Sequence, residues 1–407
     1  MARTEAANQM ISSRFPTEEA VTIDAQSKLL ETLKSPRPVR GLTHNFYRYP
    51  ARFAPEFVRE AILEFSREGD CVLDAFMGGG TTIVEAIAAG RSALGIDINP
   101  LAHFITRVKT TPLSPRDQER ILSWASALNF EETTLDELAM SDPRLRNVPT
   151  EMRELLVRAA STVGQLEFPR QRHFARCALL KLGQWAIDCR THIPTASHVR
   201  AQLQKQVAEM LKGIDDLVQA AESRGIPKNK ITTKRILLCG TVDEAIRTKN
   251  LAASLPRPKL VLTSPPYPGV HVLYHRWQVG GRRETPAPYW LADLRDGHGA
   301  SYFTLGSRST GGLRSYFAKL ADTFWSLRQF IDPNAIVVQL VAFSDPHIQL
   351  PAFLDAMCSA GYEELAPLQV SAPERPSRRV PNRKWYTQLK ENQHASNEVL
   401  LFHRPLD

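Results

Sequence analysis

Residues 263–267 read Thr263-Ser264-Pro265-Pro266-Tyr267 and follow the apolar run Leu260-Val261-Leu262. Two consecutive prolines fix the backbone and remove two N–H donors, so nearby carbonyls lose their local competitors. A hydroxyl precedes the pair and an aromatic ring follows it. Such a corner presents a side-chain oxygen, a main-chain carbonyl and a π face to one planar ligand. Taken alone, the run also suits a proline-rich loop with a packed tyrosine. Its place directly after a strand favours chemistry.

A second set lies upstream, Asp74-x-Phe76-x-Gly78-x-Gly80-Thr81-Thr82. Glycines at the carboxyl end of a strand let the backbone approach a ligand closely, and the helix beyond adds N–H dipoles. A plain tight turn would explain the glycines by themselves. Asp97 closes Gly95-Ile96-Asp97-Ile98, about twenty residues past the glycines, where a nucleoside-binding fold places its ribose carboxylate; a helix cap before Asn99-Pro100 is the simpler alternative. Asp243 follows Cys239-Gly240 and could meet an adenine amino group, or cap the next helix. No Gly-Lys-Ser/Thr is present, which excludes a P-loop.

The elements that must position these residues follow from periodicity. A short helix is expected near Ala25–Leu33. A helix opened by Pro55 carries Phe57, Val58, Ala61, Ile62 and Phe65. Residues 71–76 read as a buried strand, 81–89 as a helix ended by Gly90, and 92–97 as a second strand. This βαβ unit predicts an α/β, doubly wound, mostly parallel sheet. From about 114 to 224 the pattern is helical, clearest from Val199 to Ala221. Strands resume at 236–239, 260–263 and 335–342, then a helix at 350–360 and a strand pair at 365–370 and 398–403. The chain divides into an N-terminal arm (1–40), a first half-sheet (41–113), a helical insertion (114–230) and a second half-sheet with a basic tail (231–407).

The chain has 407 residues, 43% hydrophobic and 23% charged, with net charge +8. That suffices for a core plus an inserted module, and the basic balance suits a polyanionic partner. Five scattered cysteines without a Cys-x-x-Cys pair argue against disulfides and zinc, and no metal is expected. The first forty residues hold Glu5, Glu18, Glu19 and Asp24 without an apolar core, so no signal peptide is read. The longest apolar stretch, 335–343, is too short for a bilayer. A cytoplasmic protein without a membrane partner is expected.

These motifs together resemble the DNA amino-methyltransferases that form N4-methylcytosine or N6-methyladenine. Their cofactor loop reads Asp-Pro-Phe-x-Gly-x-Gly-Thr-Thr, matched at 74–82 with Ala75 in place of proline. Their catalytic loop, Asn/Asp/Ser-Pro-Pro-Tyr, is matched in its serine form. Their Tyr-Pro-Ala-Lys/Arg-Phe segment is matched at Tyr49-Pro50-Ala51-Arg52-Phe53. The resemblance covers about 41–110 and 232–345. It implies a seven-stranded methyltransferase sheet and S-adenosylmethionine as cofactor. The cofactor would be held by Tyr49, Pro50, Phe53, Asp74, Phe76, Gly78, Gly80, Thr81, Thr82, Asp97, Ile98 and Asp243. It further implies Ser264, Pro265, Pro266 and Tyr267 as catalytic residues acting on an extruded base.

The resemblance implies double-stranded DNA as partner, with cognate restriction or defence proteins beside it. Serine at position 264 tilts the target toward cytosine N4 and leaves adenine N6 open. An RNA amino-methyltransferase and an inactive nucleic-acid-binding subunit are the alternatives. Three stretches compete for DNA contact: residues 268–315, with Arg276, Arg282 and Arg283; the tail, with Arg378 and Arg379; and the insertion, with Arg170, Arg172, Arg176 and Lys181.

Overall fold

A computed structural model describes residues 21–34, 39, 41–49, 52–130, 133–248, 256–268, 276–280, 283–296, 305–307, 309–365, 375–379 and 397–406. Its centre is an eight-stranded sheet. β1 (Cys71–Asp74), β2 (Ser92–Asp97), β3 (Arg235–Cys239), β4 (Pro258–Thr263) and β7 (Ile336–Ala342) run parallel in the order β3-β2-β1-β4-β7. β10 (Asn397–Pro405) joins β7 antiparallel, and β8 (Tyr362–Glu364) pairs with the far end of β10. The expected seven strands form one path. β9 (Ser377–Arg379) adds an eighth on β10. A separate hairpin joins β5 (Trp277–Val279) to β6 (Arg283–Thr285).

Alternation along the strands sorts the side chains to two faces. Val72, Ala93, Leu260, Leu262, Val338 and Leu400 enter one core. Cys71, Leu73, Leu94, Ile96, Val261, Val337 and Leu401 enter the other. The first face is covered by α1 (Ile23–Lys34), α2 (Pro55–Phe65), α3 (Thr81–Ala88) and α4 (Pro100–Lys109), continued by the helices of the insertion. The second is covered by α10 (Val242–Thr248), α12 (Thr310–Arg328) and α13 (Pro346–Ser359). Both faces of the parallel strands are therefore dry, which is why they read as nearly unbroken apolar runs.

The insertion contains α5 (Pro115–Ala127), α6 (Glu137–Met140), α7 (Thr150–Ser161), α8 (Pro169–Ile187) and α9 (Ala196–Glu222). Its apolar stripe from Val199 to Ala221 shares a single core with Val72 and Ala93 of the sheet. It is thus a further layer on the sheet. Of the expected N-terminal arm, residues 21–34 pack on the body: Val21, Ala25, Leu29 and Leu33 are buried, and α1 packs on α2. The last hairpin strand falls at 362–364; residues 366–370, where sequence places it, lie outside the described residues.

Candidate active site

A cavity of about 320 Å³ opens at the carboxyl ends of β1 to β4, lined by Tyr49, Asp74, Phe76, Gly78, Asp97, Ile98, Thr241 and Ser264 to Tyr267 among others. The turn after β1 forms its floor. Gly80 adopts φ +73°, and a Cβ there would collide with Thr106 of α4. A Cβ on Gly79 would lie 2.8 Å from Cβ of Tyr49. Only glycine allows the loop to pass so close to both neighbours.

Two carboxylates face this space. Asp74 is 2% exposed and accepts from the Thr263 hydroxyl at 2.7 Å and the Phe76 amide at 3.1 Å. Burial pushes its pKa up to about 6, against the opposing pull of Thr263, Thr82 and the Phe76 amide. Asp97 takes the Gly78 amide on Oδ2 and the Asn99 amide on Oδ1, both at 2.8 Å. Burial pushes it to about 6 as well, and among the described residues no cation acts on it. Each Asp97 oxygen keeps a lone pair beyond its amide bond. The helix-cap alternative falls to Asn99, whose Oδ1 accepts from the Leu101 amide at 3.0 Å.

The Ser-Pro-Pro-Tyr corner is tied down by three bonds. The Ser264 hydroxyl donates to the Leu340 carbonyl of β7 at 2.8 Å, so its lone pairs are what it can offer a ligand. Tyr316 of α12 donates to the Pro266 carbonyl at 2.6 Å. No donor among the described residues meets the Pro265 carbonyl. The Tyr267 hydroxyl donates to Oε1 of Glu398 at 2.6 Å.

The structure separates the remaining expected residues. Phe53 and Thr81 line the cavity, whereas Gly80 and Thr82 sit behind the wall. Asp243 does not line it: the carboxylate is in the first turn of α10, half-exposed, and pairs with Arg247 at 2.8 Å. Thr241 and Val242 occupy that part of the wall. Pro50 and Arg282 lie outside the described residues, as does the Arg379 side chain.

Arg276 is no free phosphate ligand, being 8% exposed and paired with Asp296 at 2.9 Å. Arg378 is likewise held, by Glu398 at 2.6 Å and the Leu33 carbonyl at 2.8 Å. Arg283 is exposed. Trp277, in the same stretch, is a core anchor 1% exposed with its indole N–H on the Tyr47 hydroxyl. In the insertion, Arg172 bonds the Leu166 and Glu167 carbonyls, Arg176 pairs with Asp293, and Lys181 faces Glu209.

Several residues at the site are not read as part of it from the sequence. Asn99 joins the hydroxyls of Tyr49 and Tyr289, each at 3.0 Å. Lys109, 1% exposed, donates to the Gly79 carbonyl at 2.6 Å, and burial pushes its pKa down to about 7. His44 and Arg59 both bind Glu85, stiffening α3 behind the loop. Only Asn99, as a cap before proline, had a readable signal.

An α/β fold with a glycine turn, a carboxylate without a counter-cation among the described residues at the end of β2 and an aromatic corner after β4 is consistent with an α/β methyltransferase fold. Residues 22–106 match the N6/N4 family model described as DNA methylase. Type II methyltransferase M.MvaI of Kocuria varians is 39% identical over 87 residues, 21% of this chain and 19% of that protein. Type II methyltransferase M.MjaII of Methanocaldococcus jannaschii is 33% identical over 79 residues, 19% of this chain and 15% of that one. DNA adenine methyltransferase YhdJ of Escherichia coli is 41% identical over 61 residues, 15% and 21% of the two chains. The chain thus matches about a fifth or less of each relative's length. Over residues 22–106 the chain is thus similar to the DNA amino-methyltransferases.

That similarity implies S-adenosylmethionine as methyl donor, and the cavity suits it. Asp97, without a counter-cation, has lone pairs for vicinal hydroxyls. Asp74 is a buried carboxylate that an ammonium would relieve, and Tyr49, Phe76 and Ile98 supply apolar wall.

Proposed function

We propose that this protein transfers a methyl group to an exocyclic amine of a DNA base, with cytosine N4 as the preferred target. The observation that carries this reading is the Ser264 hydroxyl, which gives its proton to Leu340 and keeps its lone pairs at the cavity wall. The amine of cytosine or adenine is a weak nucleophile because its lone pair is delocalised into the ring. Hydrogen bonds from its two hydrogens to Ser264 Oγ and the Pro265 carbonyl localise that pair on nitrogen. Tyr316, by occupying the Pro266 carbonyl, leaves the preceding carbonyl as the acceptor.

When bound, S-adenosylmethionine supplies an electrophilic methyl on a sulfonium. Asp97 and Asp74 orient its two ends. Tyr267 stacks on the extruded base, since an amine within a duplex cannot reach the cavity. The rate then comes from positioning and fixed dipoles. No nucleophilic side chain is required.

The target, the DNA partner, a cytoplasmic setting and a cognate restriction or defence protein belong to the same reading. The type II names of the relatives support it, and serine at 264 supports cytosine. The similarity to an adenine methyltransferase covers 61 residues, 15% of this chain, and leaves adenine N6 as the second target. Mass spectrometry of nucleosides from DNA incubated with the protein and S-adenosylmethionine tests it. N4-methyldeoxycytidine is expected. N6-methyldeoxyadenosine would move the target, and methylation of RNA alone would overturn the assignment.

A further inference from the structure

At the opposite end of the parallel strands, where β3 begins and α4 ends, lies a second cavity of about 220 Å³. Arg107, Arg170, His173 and Arg235 line it, with Phe174 and Thr111 beside them. β3 separates it from the catalytic cavity by its whole length, roughly 15 Å at the usual rise per residue.

Of the three guanidinium groups only Arg170 is paired with an acid among the described residues, and each keeps N–H groups without a partner. Arg235 donates through Nε to the Thr110 carbonyl at 3.2 Å and through Nη2 to the Thr111 hydroxyl at 3.0 Å. Its Nη1 has no hydrogen-bond partner among the described residues. Arg107 places Nη2 at 2.9 Å from Nε2 of His173, leaving Nε and Nη1 without such a partner. Arg170 gives Nε to Asp117 at 2.6 Å, and its two terminal nitrogens remain.

Charge is equally unbalanced. Asp117 already serves Arg170, Ser114 and Gln171, and these bonds hold its carboxyl well below the usual range. Among the described residues no carboxylate acts on Arg107 or Arg235. Burial depresses both, and Arg107 adds to the depression of Arg235, to about 10. His173 is pushed down to about 4 by burial and then by Arg107, Arg172 and Arg176, so it is neutral at pH 7. Three guanidiniums against one saturated carboxylate leave net positive charge in a partly desolvated space. Such charge is costly until an anion meets it. Planar N–H forks suit a tetrahedral oxyanion with several acceptor oxygens.

We propose that this cavity is a phosphate-binding site, in which Arg107, Arg170 and Arg235 hold a phosphate-class oxyanion. It stands independently of methyl transfer. A small phosphate or phosphomonoester suits its size and its place, at the other end of β3 from the cavity that holds Ser264 to Tyr267.

The test titrates the full chain with inorganic phosphate by calorimetry, against sodium chloride at matched ionic strength. The Arg107→Gln variant removes one fork, and Arg67→Gln removes the same charge from an exposed surface position elsewhere. One site per chain is expected, at least about tenfold weaker in Arg107→Gln and unchanged in Arg67→Gln. Unaltered S-adenosylmethionine binding in Arg107→Gln shows that the variant is folded. Phosphate heats no greater than chloride, or equal losses in both variants, overturn the site. A short duplex distinguishes the source of the phosphate. Duplex binding that weakens tenfold in Arg107→Gln and yields to inorganic phosphate assigns the site to a phosphodiester. Unchanged duplex binding assigns it to a free phosphate.

Discussion

The Tyr267 hydroxyl lies 2.6 Å from Oε1 of Glu398, whose Oε2 takes Arg378 at 2.6 Å. Glu398 is 1% exposed and belongs to the last strand, 131 residues from the ring it holds. Arg378 continues the chain to the Leu33 carbonyl at the end of α1. The aromatic face of the corner is thus anchored by three distant segments. Tyr267→Phe keeps the ring and removes its anchor. It is expected to cost about 1–3 kcal/mol of stability, as the loss of a hydrogen bond to a charged group does. Turnover should fall severalfold with cofactor affinity intact, while Tyr267→Ala should lose most turnover because stacking is worth about 1–3 kcal/mol. Glu398→Gln strands Arg378 and should destabilise by about 3–5 kcal/mol. Thermal melts, calorimetry and single-turnover rates measure the three effects; a Tyr267→Phe enzyme with wild-type turnover would remove Glu398 from the site's function.

Ser264→Ala removes the lone pairs expected to meet the amine. The corner itself keeps its prolines and the Tyr316 bond to the Pro266 carbonyl. A fall of about 100-fold in kcat is expected, in the range for losing one fixed polar group at a reacting centre. KM for DNA and the binding constant for S-adenosylmethionine should change little. Equal losses in kcat and cofactor binding would mean that Ser264 only holds β4 to β7.

How far these relationships are legible in the sequence varies with their physical range. Asp74, Asp97 and Ser264 stand at strand ends beside glycine or proline, and local chain geometry announces such positions. Glu398 and Lys109 look like ordinary strand and helix residues; only tertiary contact makes them part of the site. Arginines mislead for the same reason. Arg276 and Arg378 read as phosphate ligands, yet each finds an acid 20 residues away. Asp243 misleads because a carboxylate just past a strand fits both a ligand and a helix turn, and here Arg247 one turn on decides it. The insertion's helices were readable from their stripe, but not the continuity of that stripe with the sheet's core.

Asp74 and Asp97 give a pH dependence of definite sign. Each is raised from 3.8 to about 6 by burial. Between those values the folded chain keeps protons that the unfolded chain has lost, so their contribution to stability falls as pH rises from about 4 to 6. Other carboxylates, such as Glu85 and Asp117, are depressed and act in the opposite sense. The difference between wild type and Asp97→Asn isolates the effect: the variant should gain stability relative to wild type as pH rises through 6. S-adenosylmethionine affinity should run the other way, rising as the carboxylates ionise and flattening in Asp97→Asn. Melting temperatures and calorimetry from pH 4.5 to 7.5 provide the check, and parallel profiles for the two proteins would contradict it.

Lys109 joins the cofactor loop to α4 by one bond to the Gly79 carbonyl, and burial holds its pKa near 7, about where it is half-charged at neutral pH. The unfolded chain keeps this proton up to 10.5. Between 7 and 10.5 the unfolded state therefore binds more protons, and the lysine's contribution to stability rises with pH. Lys109→Met preserves the buried stem and removes both the charge and the bond. Its stability relative to wild type should decline as pH rises from 7 to 9. S-adenosylmethionine should bind more weakly, because the Gly79 carbonyl loses the donor that fixes the turn beneath it. Denaturant titrations at pH 7 and 9, with cofactor titrations at both, separate the two effects. A variant with unchanged cofactor affinity would show that the glycines alone hold the loop, through their contacts with Tyr49 and Thr106.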